Sequence, residues 1–329
     1  MARFVLRALV VASVVFSIAK ANAQPTAVPL PPPAADSLTA GVHMEDADRF
    51  ARLFAETSGK PTADQLQEAY IAPGSYGIAV FTPYRIVSAS HLAEAVAKHQ
   101  TDYAHAIQVC LPQVKAADAD LRSIYLGLHG LLPDQPLPQI YMVFGAGNSG
   151  GTEGPGAQVL GLEVLCAAGD TPAAFRATLR RFFAHETVHV FQHEPVKADM
   201  SPLLSQALIE GAADFIAMTV TGDTPVPERA KWAALREREL WVQFRADMEA
   251  AKPLAQAKPP ASAKAAFHRW IANYQNAPPG WPYEAGYWVG MRIWQAYYER
   301  AADKHQAIRD MLNWDDPEDI LQKSGYSPN

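Results

Sequence analysis

Apolar positions recur along most of this chain at helical spacing. From about Asp46 the pattern is helical, and Thr62 is placed to cap a helix that carries Leu66, Ala69 and Tyr70 and ends before Pro73-Gly74. A short apolar stretch over 81–87 is interrupted by Pro83, and helices are predicted over 90–98 and 121–132. The pattern changes at Pro138. Residues 139–144 and 158–165 are strand-like, and the six glycines of 145–156 lie between them, which predicts a hairpin with a mobile glycine-rich turn. Beyond Gly169 the helical period returns. Thr171-Pro172 opens a helix expected to reach about His193 before Pro195 stops it, and Ser201-Pro202 opens another that runs to about Val220, with Gly222 just past its end. Further helices are expected over 227–250, 262–274 and 283–302, and no internal repeat is visible. The fold class this predicts is α+β, mainly helical with a small β-sheet.

The first residues read as an address. Arg3 and Arg7 precede an apolar run from Ala8 to Ala19, followed by Ala21-Asn22-Ala23, a small-x-small cleavage pattern. The run is shorter than the roughly 20 residues a membrane span needs. Residues 1–23 are therefore expected to be a signal peptide, and the chain an exported protein, periplasmic or secreted, with no transmembrane segment once the leader is removed. Residues 24–40, with Pro25, Pro29 and Pro31 to Pro33, read as a proline-rich linker. The expected domain is 41–329, with an N-terminal lobe to about residue 170 and a helical metal-binding lobe over 171–329.

Composition narrows the classes. Apolar residues make up 49% of the 329, enough to bury a core, and the formal charge of −6 lacks the basic excess of a nucleic-acid binder. The two cysteines, Cys110 and Cys166, exclude a disulfide-rich scaffold; in an exported protein they form either a bridge or two buried thiols. The glycine run lacks the GxxxxGK[ST] and GxGxxG orders, so a phosphate loop is not predicted.

The chemistry concentrates at His185-Glu186-Thr187-Val188-His189, an HExxH pattern inside the expected 171–193 helix. Residues four apart on a helix differ by about 40° in azimuth and about 6 Å in rise, so both imidazoles can reach one Zn²⁺ while Glu186 lies beside a water. A catalytic zinc needs a third protein ligand and an open position. Glu210, on the next predicted helix among small and apolar neighbours, is the candidate. Asp214, one turn further on the same face, is placed to accept the outer N–H of a ligand imidazole. Gly211 and Ala213 would let the two helices approach closely.

HExxH followed by Glu-x-x-x-Asp resembles the glutamate-ligand zinc metallopeptidases, the gluzincins. Longer stretches resemble a family of predicted zinc-dependent proteases of unknown function, related to gliding-motility-associated lipoproteins. They are APGSYGIAVFTPYRI, IYMVFGAGNSGGTEGPGAQVLGLEVL, HETVHVFQH, ALIEGAADFIAMTVTG and the tail GYWVGMRIWQAYYER with ILQKSGY, together most of the chain after residue 65. The resemblance implies a zincin-like core in which the strands before the HExxH helix pair with extended peptide.

The expectation is one Zn²⁺ per chain held by His185, His189 and Glu210, with Glu186 as general base in hydrolysis of peptide or protein amide bonds. Tyr287 and His268 are the candidates for stabilising the oxyanion, each weighed against core packing, and His193 for an outer-shell or helix-end role. Two other classes remain open. One is a non-catalytic binding or accessory protein of the envelope with a structural zinc; the other is another HExxH hydrolase such as a deformylase, against which export and the lack of a cysteine ligand motif argue.

Overall fold

In the computed structural model, residues 30–167, 169, 171–274 and 276–328 are described. The expected leader, 1–23, and the start of the linker lie outside them. Four short strands, β1 (Val42–His43), β2 (Gln139–Val143), β3 (Gly151–Gly154) and β4 (Ala157–Gly161), form a sheet in the order β1-β2-β4-β3. Helices dominate the rest of the described chain, so the fold is α+β and mainly helical.

The expected hairpin of 139–144 with 158–165 is not there. β2 and β4 run parallel, Tyr141 opposite Val159, and residues Leu162–Ala167 are helical. The glycine-rich stretch, expected as a turn, supplies β3, which lies antiparallel to β4 at the edge of the sheet. The two-residue link Pro155-Gly156 closes this real hairpin, with Gly156 at φ +66°, a conformation open to a residue without Cβ. The physical reason for the difference is burial. Every residue of β4 is buried, as in a strand covered on both faces and paired on both edges, and such a strand reads as a continuous apolar run with no alternation to betray its partners.

The described residues divide into two compact units, those up to 126 with those of 136–186, and those of 127–135 with those from 187 on. The first holds the sheet. Phe50 stacks on Phe144 at 4.4 Å between ring centroids, with Tyr70 and Tyr103 against the same ring of Phe50. Their hydroxyls also serve the backbone that leaves β2: Tyr70 Oη donates to Phe144 O and accepts from Phe144 N, and Tyr103 Oη donates to Gly145 O at 2.7 Å. At the other end of β2, Tyr125 Oη donates to Pro138 O at 2.6 Å. Buried peptide groups that the sheet leaves unpaired are thus satisfied by phenols. Disulfide Cys110–Cys166 joins helical segments 56 residues apart in this unit, settling the pair as a bridge.

Several N-termini form as the sequence predicts. Thr62 and Gln65 make a reciprocal capping box, and Thr171 Oγ1 accepts from Ala174 N. Gly222 closes helix Pro202–Thr221 at φ +74°. Ser201 departs from expectation: Pro202 starts that helix, but the serine side chain makes no cap bond. The stretch is helical from Phe81 to Ile86, its Pro83 sitting in a π-turn, Thr82–Ile86. The expected 227–250 helix divides into Pro227–Ala234 and Glu237–Ala251.

The second unit is all helix among its described residues. Its tightest crossing joins Pro202–Thr221 to Ala285–Arg300. A Cβ built on Gly290 would lie 1.7 Å from Ala207 O, and one on Gly211 would lie 2.2 Å from Gly290 C. The backbones touch because neither residue has a side chain, and Trp294 Nε1 donates to Leu208 O at 2.8 Å beside the contact. Gly211 therefore serves the approach of helix Ala285–Arg300, not the expected approach of the HExxH helix. Pro202–Thr221 is long and apolar enough to cross a membrane, yet most of its residues are buried.

Candidate metal centre

The HExxH motif lies on one unbroken helix, Pro172–Phe191. Within the first unit its early turns are tied down twice: Arg176 and Arg180 both bond Asp120, and Gln158 Nε2 of β4 donates to Phe182 O at 2.8 Å. The sheet thus backs this helix just before the motif. His185 and His189 follow one turn apart, both largely buried.

In the second unit Glu210, 1% exposed, brings Oε2 to 3.3 Å from His189 Nε2. One ligand atom each from His185, His189 and Glu210 lies within 4.8 Å of the other two. Two imidazoles and a carboxylate at this spacing form a group able to hold a metal ion. A carboxylate this deeply buried is costly unless positive charge faces it, and the His₂-carboxylate donor set is one that three-ligand zinc sites use with a fourth position open. A second group of three, His105, Cys110 and Cys166, is also close, but its sulfurs are joined to each other in the disulfide.

Two glutamines complete the centre, and no motif marks either of them. Gln192 Oε1 lies 2.7 Å from His189 Nδ1, and its Nε2 donates to Ile209 O at 2.8 Å. Gln206 Nε2 donates to Glu210 Oε1 at 3.0 Å, leaving Oε2 toward the histidine. Helical spacing is the signal that could have found them: Gln192 is three residues after His189, and Gln206 is four before Glu210.

Asp214 is buried with Glu210 on the same helix, and it forms an ion pair with Arg229 at 2.6 Å, both side chains 1–2% exposed. The guanidinium of Arg229 also lies over the ring of Tyr287, 5.2 Å from its centroid. Tyr287 is buried on Ala285–Arg300. Burial pushes its phenol far above the usual range, the charges of Glu210, Glu284 and Asp214 raise it further, and Arg229 opposes them. It therefore keeps its proton and remains a hydrogen-bond donor. His268 and His193 are not members of the metal group: His268 Nδ1 faces Ile271 O, and His193 donates its backbone N–H to Leu312 O.

Glu186 is 4% exposed. It lies against the start of the edge strand: a Cβ built on Gly151 would stand 3.7 Å from its carboxyl carbon. Arg85 is in its electrostatic field and in that of Glu153 on β3; burial lowers the Arg85 pKa while both carboxylates oppose that shift. In comparisons with known proteins, the chain matches no family model, no curated protein and no solved structure.

Proposed function

We propose that this chain is an exported zinc metallopeptidase of zincin-like, gluzincin type that hydrolyses peptide or protein amide bonds. The observation that carries this reading is the buried group His185, His189 and Glu210, with Glu186 on the same helix as the two imidazoles. A Zn²⁺ bound there supplies a Lewis acid for the scissile carbonyl and lowers the pKa of a bound water toward about 7. The protein's own groups do the rest. Glu186 takes the proton from the attacking water and returns it to the leaving amine. Tyr287, kept protonated by burial, is the candidate donor to the developing oxyanion.

The edge strand supports a peptide as substrate. Among the described residues β3 has β4 on one side only, and an extended chain could add to its other edge by backbone hydrogen bonds, beside Glu186. Two features support export: the charged, apolar and small-residue order of 1–23, and the disulfide Cys110–Cys166, a bond typical of oxidising compartments.

The test combines metal analysis with cleavage of a quenched peptide library. The expected outcome is one zinc per chain and cleavage that stops on chelation. Glu186→Gln should keep the zinc and lose turnover by about 10²–10⁴-fold or more. Zinc at one per chain, with no cleavage by the wild type, would instead favour an envelope binding protein with a structural ion.

A further inference from the structure

We propose that Gln192 is a positioning residue that fixes the orientation and tautomer of His189, holding a proton on Nδ1 so that Nε2 is the nitrogen turned toward Glu210. The argument rests on a side-chain amide with two distinguishable ends. Nε2 of Gln192 lies 2.8 Å from Ile209 O, and a peptide carbonyl can only accept. The NH₂ end must therefore face Ile209, which leaves Oε1 facing the imidazole at 2.7 Å. Oε1 in turn can only accept, so His189 must donate from Nδ1.

The consequence lies on the other side of the ring. Once Nδ1 holds the proton of the neutral imidazole, Nε2 presents a lone pair, and the atom it faces at 3.3 Å is a carboxylate oxygen. Glu210 is locked in the same sense, because its other oxygen accepts from Gln206. Two electron-rich atoms held face to face in a buried site repel each other unless a proton or a metal ion lies between them. Gln192 thus does two things from one amide: it selects the ring nitrogen that can ligate, and it ties the end of the HExxH helix to the backbone next to Glu210.

The metal-affinity part of this proposal rests on the zinc reading; the tautomer part does not. Zinc affinity is measured by competition with a chromophoric chelator for the wild type, Gln192→Leu and Gln192→Glu. Alongside it, ¹⁵N–¹H correlation spectra of the His189 ring are recorded on the wild-type protein with and without zinc. The expected result is a proton on Nδ1 in the wild type and a 10–100-fold loss of zinc affinity in Gln192→Leu. Gln192→Glu, which still accepts from Nδ1, should recover most of that loss. A wild-type ring with a bare Nδ1, or equal zinc affinity in all three proteins, overturns the proposal. Should the wild type take up no zinc at all, the zinc reading fails by itself, and the ring spectrum of the metal-free protein still decides the role of Gln192.

Discussion

Glu163 shows how one buried side chain can set a pH dependence. Its carboxylate accepts from Gly145 N with both oxygens and from Gly147 N with one, at 3.1 Å each, and so anchors the start of the glycine-rich stretch. Burial raises its pKa from 4.5 to about 7, against the opposing pull of those backbone donors. A folded state that keeps a proton the unfolded chain releases loses stability as pH rises through that interval. The penalty is absent below about 4.5, grows up to about 7 and stays in full above it, on the order of 3 kcal/mol in total. Glu163→Gln retains an amide oxygen to accept from the glycines and has no proton to lose. Unfolding measured in chelator from pH 4.5 to 7.5 should therefore show a smaller downward slope for the variant. Equal slopes in the two proteins would remove Glu163 from the account.

At this scale the two histidines of the candidate metal group were legible in the sequence, because HExxH is a local pattern and helical geometry alone puts its two imidazoles together. Glu210 was legible for a related reason, since a carboxylate among small and apolar neighbours on a predicted helix has to face something positive. The partners of those ligands were not. The ion pair of Asp214 with Arg229 depends on where a separate helix, Pro227–Ala234, lies. That the amide of Gln192 reaches Ile209 likewise depends on how two helices meet.

Among elements, the crossing of Pro202–Thr221 with Ala285–Arg300 is the most exacting contact in the second unit. Gly290→Ala would set a methyl group 1.7 Å from Ala207 O, a backbone atom that no rotamer change can move away. The helix that carries Glu210 would have to shift. Overpacking of this kind typically costs about 1–3 kcal/mol, and the rigid backbone places this case at or above the upper end. Denaturant unfolding should show that loss, together with weaker zinc binding in whatever fraction stays folded. A variant as stable as the wild type would show that the helices are free to separate here.

The sheet teaches the opposite lesson about elements. Apolar runs marked where β2 and β4 would form, but gave neither their direction nor their order. β3, Gly-Thr-Glu-Gly, has almost no intrinsic preference for a strand and exists because β4 offers it an edge. The three π-turns, Gln67–Ile71, Thr82–Ile86 and Ala106–Cys110, were equally invisible, since a one-residue insertion in a helix leaves only a small shift in the apolar period.

For the molecule as a whole, the disulfide is the longest-range covalent constraint. It closes a loop of 56 residues in the unit that holds the sheet. Chain-entropy arguments give about 4 kcal/mol for a loop of this length, and measured bridges mostly give 2–4. The double substitution Cys110→Ser with Cys166→Ser should lower the unfolding free energy of that unit by about this amount, read as a fall in its transition midpoint. An unchanged midpoint would mean that the unfolded chain gains no freedom when the bridge is absent.

By itself the sequence determined the mainly helical α+β character, several of the helix starts and stops, and the two-histidine face with its glutamate. These follow from apolar period, capping chemistry and the fixed rotation per residue of a helix, all interactions among residues within a few positions of one another. Only the tertiary structure decided that β2 and β4 run parallel, that the glycine-rich stretch becomes the strand beside Glu186, and that Gln192 and Gln206 bond His189 and Glu210. It also decided that the cysteines meet. Each of these is a contact between segments distant along the chain, chosen by the packing of buried surfaces and by the need to pair every buried polar group, and neither condition is written in any local stretch of residues.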